Sequence, residues 1–145
     1  MSGLHTQPRL EGEALAFLDA EPRRYATLAT VNPDGSPHQA VIWYAPLPDG
    51  SVLINSKRGR RWPDNLLRDP RCVLTVHEGR SWAAVRGEAV LVAEGQQGFD
   101  DIMALAYRYG EDQSDPAGLE RDRAAWSAQE RITFHIRPTS VSTYA

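Results

Sequence analysis

The sequence predicts a small β-barrel with helices, built as a single domain on about six antiparallel strands. Two observations support this prediction. Six segments are rich in β-prone residues and several are joined by short Gly/Pro-rich turns, while three stretches with helical periodicity occur early, midway and late in the chain. Short turns favour antiparallel neighbours. Closure into a barrel removes the edges that an open sheet of this size would expose.

The predicted strands are bounded by turn signals such as the polar stretch 32–37 and the Pro-Asp-Gly at 48–50. They lie at residues 25–31, 38–47, 51–56, 71–78, 81–94 and 131–137. The strand at 81–94 is long enough to bend near Gly87, since a glycine inside a strand often marks a bend.

The first predicted helix ends at Glu21-Pro22 and has one apolar face, formed by Leu10, Ala14, Phe17 and Leu18. Residues 95–98 are predicted to break the chain before a second helix with the apolar face Ile102, Leu105, Ala106 and Tyr109. Gly110 is its predicted C-cap. Residues 111–118 are predicted to form a loop, and 119–128 a further short helix.

Composition excludes several functional classes. The formal net charge of -3 and the pI near 5.8 argue against a dedicated nucleic-acid-binding module. Cys72, the only cysteine, permits no intrachain disulfide and falls in an apolar run, which favours a buried small hydrophobe. No secretory signal or membrane-length apolar stretch is present, so we expect a cytoplasmic protein without a membrane partner.

Positive charge is concentrated at Lys57, Arg58, Arg60 and Arg61, around Gly59. The run follows a predicted strand and precedes a short helix, in which Pro63 suits the first turn and Asp69-Pro70 the stop. The helix dipole disfavours cations at its N-terminus, whereas the backbone N–H groups there favour an anion. A solvated charge run is the simpler alternative; a phosphate-binding clamp is the favoured hypothesis.

Other familiar sites are not supported by the sequence. The four histidines are widely spread, and no spacing resembles a zinc site, so no metal is expected. P-loop, dinucleotide-binding and nucleophile-elbow motifs do not occur. No catalytic side chain can be named from the sequence.

Four stretches in order resemble the FMN-binding split β-barrel superfamily, whose members are similar to pyridoxamine-phosphate oxidases. They are Tyr25–Thr30 with Asp34–His38, Val41–Tyr44, Asn55–Arg71, and Trp82–Ala89. The segments 14–18, 65–70 and 104–109 are most similar to the actinobacterial reductases that use the deazaflavin coenzyme F420.

This resemblance implies a six-stranded antiparallel split barrel of the FMN-binding type. It also implies a homodimer with cofactor sites at the subunit interface, and a hydride transfer between F420 and an activated double bond of a small organic substrate. By position, the phosphate would be held by Arg58, Gly59, Arg60 and Arg61, with Lys57 and Asn65 nearby. The ring would be lined by Gln39, Ala40, Val41 and Trp43, and the polyol chain by Asn55 and Ser56.

Two departures from the family keep alternatives open. Many relatives carry another cation where this chain has Trp62 followed by Pro63, which weakens the match to a site for the long F420 tail. The C-terminal Arg/His motif of true pyridoxamine-phosphate oxidases is missing, which argues against vitamin B6 oxidation. FMN is therefore the alternative cofactor, and a non-catalytic flavin-binding protein is the alternative function.

Overall fold

Residues 3–145 are described by a computed structural model. In chain order the elements are β1 (Leu4–Gln7), α1 (Gly12–Asp19), β2 (Ala26–Val31), β3 (Pro37–Ile42), β4 (Ala45–Pro46), β5 (Val52–Lys57), α2 (Arg61–Arg68), β6 (Arg71–Glu78), β7 (Ser81–Ala93), α3 (Gly95–Arg108), α4 (Glu111–Ser114), α5 (Pro116–Ser127) and β8 (Arg131–Tyr144). Within this range, no helix is both long and apolar enough to cross a membrane.

The strands form one antiparallel sheet in the order β3-β2-β6-β7-β8-β5-β4, with β1 added along β8. The two ends of this order, β3 and β4, follow each other in the chain with only Trp43 and Tyr44 between them. The chain therefore links the two edges of a curled sheet without a continuous hydrogen-bonded ladder. The predicted antiparallel split barrel is confirmed, with eight strands in the described range against the six predicted.

The core fills the inside of the curled sheet because alternate residues of each strand point inward. In β2, for example, Ala26 and Leu28 are fully buried while the residues between them are partly exposed. Trp62 and Leu66 of α2, and Leu18 of α1, close this core. Cys72 is buried in it, as predicted.

A second, smaller cluster joins α3 and α5 through Met103, Ala106 and Leu119. Trp43 and Trp126 pack against it, so these helices are held over one side of the barrel. Gly98 makes the close approach possible: a Cβ there would lie 2.2 Å from the carbonyl oxygen of Arg131 on β8. This packing places α3 and α5 beside the end of β5, where the basic segment begins.

Several predicted boundaries were wrong. The stretch 38–47 is two strands rather than one, and the strand predicted to end at residue 137 continues to Tyr144 because β1 and β7 pair with its second half. Residues 95–98 form the first turn of α3 instead of a break. The loop predicted at 111–118 contains α4 and the start of α5, where Pro116 follows the N-cap Asp115. The bend near Gly87 is confirmed by a register shift between Arg86 and Gly87.

Candidate functional site

The basic segment forms a tight turn between β5 and α2. Gly59 lies in this turn with φ of +93°, a backbone conformation that residues with a Cβ rarely adopt. No atom would crowd a Cβ at this position. The glycine is therefore explained by the turn itself rather than by close approach of a ligand.

Two backbone N–H groups of this turn already have partners. The N–H of Gly59 donates to Oδ1 of Asp64 at 3.0 Å, and the N–H of Arg58 donates to the carbonyl oxygen of Glu130 at 3.0 Å. A carboxylate of the chain thus occupies a position that an external anion was expected to take. These two N–H groups are therefore not available to an anion, and the donors that remain at this turn are its cationic side chains and the first N–H groups of α2.

The cationic side chains of the turn differ in their partners. Arg58 pairs with Glu94 and, at 3.6 Å, with Glu130. Lys57 and Arg60 form no ion pair with any residue in the range 3–145. Arg61 is likewise exposed and without an ion pair in this range, although its Nη1 donates to Oδ1 of Asn32 at 3.5 Å. Arg60 and Arg61 are thus the arginines of the turn that are available to a ligand.

A cavity of about 340 Å³ opens beside this turn, between the barrel and the helices α3 and α5. This volume falls within the range of roughly 300–1,000 Å³ that is usual for small-molecule sites. Five of the residues predicted to bind a cofactor line it: Val41, Trp43, Asn55, Ser56 and Arg60. The lining is completed by Tyr25, Ile42, Trp62, Ile102, Trp126 and Arg131.

The cavity lining is positively charged. It contains Arg60 and Arg131 but no aspartate or glutamate. Arg131 is only 4% exposed, and burial lowers its pKa to about 10, with a further contribution from the charge of Arg60. Its Nε and Nη2 donate to Oδ1 of Asn55 at 3.1 and 2.9 Å, and its Nη1 donates to Oε1 of Gln129 at 2.8 Å.

Two neutral polar side chains, Ser56 and Asn55, also line the cavity. The hydroxyl of Ser56 is buried and has no hydrogen-bond partner within residues 3–145. The amide nitrogen of Asn55 donates to the carbonyl oxygen of Gly98 and to Oγ1 of Thr133, both at 2.9 Å. Asn55 is thus fixed between β8 and α3, and its oxygen holds Arg131.

Part of the cavity lining is aromatic, and Trp126 lies against Arg131, with Cζ of the arginine 5.8 Å from the centroid of the ring. The ring of Trp43 stacks on Tyr109 with centroids 5.2 Å apart, and its edge meets Trp126 at 6.3 Å. Tyr109 donates its hydroxyl to the carbonyl oxygen of Arg24 at 2.8 Å. Burial raises the pKa of Tyr109 to about 12, so it remains neutral at physiological pH. These contacts fix the orientation of Trp43.

Seven of the predicted residues lie outside the cavity lining: Gln39, Ala40, Lys57, Arg58, Gly59, Arg61 and Asn65. Neighbouring residues of β3 point to opposite faces of the sheet, so Gln39 is exposed whereas Ala40 packs against the core. Asn65 is buried, and its amide nitrogen donates to Thr30 and Asn32. Asn65 therefore ties α2 to β2, and any contact of Ala40 with a ligand would come from its backbone.

The sequence reasoning did not identify Tyr25, Trp126 or Arg131 as site residues. Arg131 begins the predicted strand 131–137, in which polar and apolar residues alternate as in a half-buried strand. The structure covers the start of this strand with α3, since Gly98 packs on the backbone of Arg131. No signal in the sequence indicates this helix placement.

Two larger cavities lie elsewhere. One of about 460 Å³ lies on the outer face of the sheet near Arg86, and one of about 500 Å³ lies near the start of α1. Both include carboxylates in their lining, and neither includes a residue of the range 55–61. The cavity beside the basic turn is therefore the candidate site.

Comparisons with known proteins agree with this fold. The family model for pyridoxamine 5'-phosphate oxidase matches residues 10–143. A solved structure of a conserved hypothetical protein from Mycobacterium tuberculosis is 25% identical, with 94% of this chain and 86% of that chain covered and a TM-score of 0.70. A structure named F420 reductase is 22% identical, with coverage of 90% and 98% and a TM-score of 0.69. A FAD-binding protein from Mesorhizobium loti is 19% identical, with coverage of 98% and 99% and a TM-score of 0.58. A search of curated proteins found no match.

Proposed function

Because the chain belongs to the pyridoxamine 5'-phosphate oxidase family, we propose that it is an oxidoreductase that uses coenzyme F420 to reduce an activated double bond of a small organic substrate. One observation carries the proposal. Within residues 3–145, the cavity beside the basic turn contains an arginine without an ion-pair partner, Arg60, and a buried hydroxyl without a hydrogen-bond partner, Ser56. A buried polar group without a partner is rare in folded proteins, so Ser56 points toward a polar ligand, and the exposed cation of Arg60 favours an anionic one.

The residues present fit such a cofactor. The side chains of Arg60, Lys57 and Arg61 would hold its phosphate, and Asn55 and Ser56 its polyol chain. Val41 and Trp43 would lie along its ring system. When bound, the ring supplies the hydride-transfer chemistry, and the protein supplies binding and orientation. The stacked Trp43 and Tyr109 form an apolar wall that keeps water from this side of the ring.

No acid, histidine, lysine or cysteine lines the cavity. The groups there that can move a proton are the hydroxyls of Tyr25 and Ser56 and any water that enters with substrate. The side chains of this chain would therefore position the reactants rather than react covalently.

We further propose that the protein acts as a cytoplasmic homodimer with the sites at the interface. Tyr25 and Val41 line the cavity but are 58% and 69% exposed, so a ligand seated against them would remain partly open to water in a single chain. A second copy covering these two residues would close the site.

FMN is the second candidate cofactor, supported by the contacts of two residues, Arg58 and Trp62. Arg58 is engaged by Glu94 and Glu130, and Trp62, where many relatives have a cation, is buried against Phe134 with ring centroids 6.3 Å apart. Fewer free cations are then left for the long anionic tail of F420, whereas FMN needs only one phosphate site. The absence of an acid in the cavity lining also suits a non-catalytic flavin-binding protein.

The direct test is to titrate the purified protein with F420 and with FMN, and then to assay turnover of enones, quinones and tetrapyrroles with the reduced cofactor. We expect micromolar or tighter binding of F420, weaker binding of FMN, and turnover of at least one substrate class. Tighter binding of FMN would select the second cofactor, and binding without turnover would select the non-catalytic alternative. No binding of either cofactor at micromolar concentration would refute the proposal.

A further inference from the structure

Arg131 is a buried cation without a counter-charge. It is 4% exposed, and no carboxylate in the range 3–145 lies within ion-pair distance of it. Proteins pair buried charges because an isolated charge in a low-dielectric interior is strongly unfavourable. The lowered pKa of this guanidinium, about 10, has the same cause. The Cζ atom of Arg131 lies over the Trp126 ring, 5.8 Å from its centroid, which attracts the guanidinium but supplies no counter-ion. The fold therefore maintains a buried charge that no carboxylate of residues 3–145 neutralises.

The hydrogen bonds of Arg131 leave part of its guanidinium free. Its three bonds go to the side-chain oxygens of Asn55 and Gln129, which are both neutral amides. An arginine carries five N–H donors in a planar fork, so two remain. Asn55 and Gln129 hold the plane of the guanidinium in a fixed orientation at the lining of the cavity.

The charge of Arg60 is a second reason to expect a bound anion in this cavity. It lines the same cavity, and its charge lowers the pKa of Arg131, so the two cations repel each other across this space. An oxyanion between them would relieve this repulsion and take up the unused donors. Such charge-assisted, bidentate contacts are the geometry in which arginine binds carboxylates and phosphates best.

We propose that Arg131 is an oxyanion-binding residue, positioned by Asn55 and Gln129, which receives a carboxylate or phosphate of a ligand that carries an aromatic ring. The ring is inferred from the aromatic part of the cavity lining, where Trp126 lies against Arg131 and Trp43 lies beside Trp126. The inference rests on this cavity being the ligand site, as in the proposed function, but not on the identity of the cofactor. A cofactor phosphate and a substrate carboxylate would both supply the oxyanion.

The test measures the melting temperature of the full chain with phosphate, with benzoate and with chloride at equal ionic strength. Variant Arg131→Met removes the charge at similar volume, and Arg137→Met is the matched control, since Arg137 is exposed on the same strand and outside the cavity. At a tenfold excess over the Kd we expect the wild type and the Arg137→Met variant to gain about 3 °C with phosphate or benzoate, and the Arg131→Met variant less than 1 °C. A gain with phosphate alone would identify a phosphate group as the natural partner, and a gain with benzoate alone a carboxylate.

Arg131→Lys covers the case in which the Met variant does not fold. It keeps the charge but not the planar fork, so its Kd for the same anion should rise by about tenfold or more. In the wild type, the Nε–H NMR signal of Arg131, assigned by its loss in the Lys variant, should shift on addition of the anion. An unresponsive wild type, or an Arg131→Met variant with the full gain, would overturn the inference. These anion titrations contain no cofactor, so the inference can stand where F420 and FMN both fail to bind, and can fall where one of them binds.

Discussion

We expect the variant Arg60→Ala to bind the cofactor more weakly while its free energy of unfolding stays nearly unchanged. The Arg60 side chain is exposed and forms no ion pair with residues 3–145, so its removal takes no packing or charge partner from the folded chain. Surface substitutions of this kind usually change the free energy of unfolding by less than about 0.5 kcal/mol. We therefore expect a nearly unchanged urea midpoint.

The effect on cofactor binding should be larger. A hydrogen bond to a charged group contributes about 1.5–3 kcal/mol. Since about 1.4 kcal/mol corresponds to a factor of ten, loss of the contact between Arg60 and a phosphate should raise the Kd by roughly 10- to 100-fold. Because the contact is electrostatic and exposed, the difference should shrink at high salt.

The assay compares three proteins by cofactor fluorescence titration at low and high salt. Arg80→Ala is the matched control, because Arg80 is an exposed arginine in the turn between β6 and β7 and its loss changes the net charge equally. We expect wild-type affinity for this control. Equal cofactor affinity of the Arg60→Ala variant and the wild type would refute the assignment of Arg60, as would an equal loss of affinity in the control.

Three further predictions concern Gly98, Cys72 and Asp69. The variant Gly98→Ala places a Cβ 2.2 Å from the carbonyl oxygen of Arg131, so it should lower the free energy of unfolding by about 1–3 kcal/mol and weaken cofactor binding, as measured by urea unfolding and titration. Cys72 is buried and burial raises its pKa to about 12, so a thiol reagent at pH 8 should label it only in denaturant; rapid labelling of the folded protein would contradict this. Arg71 lowers the pKa of Asp69 from 3.8 to about 2, so the stability from this contact is present above pH 3.8 and is lost as the pH falls through about 2. The variant Asp69→Asn should show a smaller stability loss over that window, and an unchanged loss would argue against it.

Gly87 supplies the control for the Gly98 variant. A Cβ at Gly87 would lie 2.2 Å from the carbonyl oxygen of Arg137, so Gly87→Ala should also be destabilising. Gly87 is outside the cavity lining, and cofactor affinity should therefore be retained under conditions in which this variant is folded. Similar loss of affinity in both variants would show that global destabilisation, rather than the displaced α3, causes the effect.

The sequence was sufficient for elements whose local pattern and tertiary setting agree. The period-two alternation of β2 and the apolar face of α1 predicted both elements, because the barrel core uses those same faces. The sequence was insufficient for strands that form only because a neighbouring strand pairs with them. The residues of β1 are mostly exposed and the second half of β8 is polar, so neither shows a hydrophobic pattern. β1 is a strand because it pairs with β8, and the second half of β8 is a strand because it pairs with both β1 and β7.

The same limit applies to the site. The basic turn was visible because charge clustering is a local property, and it does lie beside the cavity. Arg131 was not visible, since its burial depends on the distant Gly98 packing on its backbone. The turn before α2 also offers one donor fewer than expected, because Asp64 accepts a hydrogen bond from the N–H of Gly59.

The most direct measurement is a crystal structure of the protein with bound F420, or with FMN if FMN binds more tightly. We expect a homodimer in which the cofactor ring lies against Trp43 in the cavity beside the basic turn, with the phosphate within hydrogen-bond distance of Arg60. A cofactor bound in the cavity near Arg86 or near the start of α1, with no contact to residues 55–61, would contradict it.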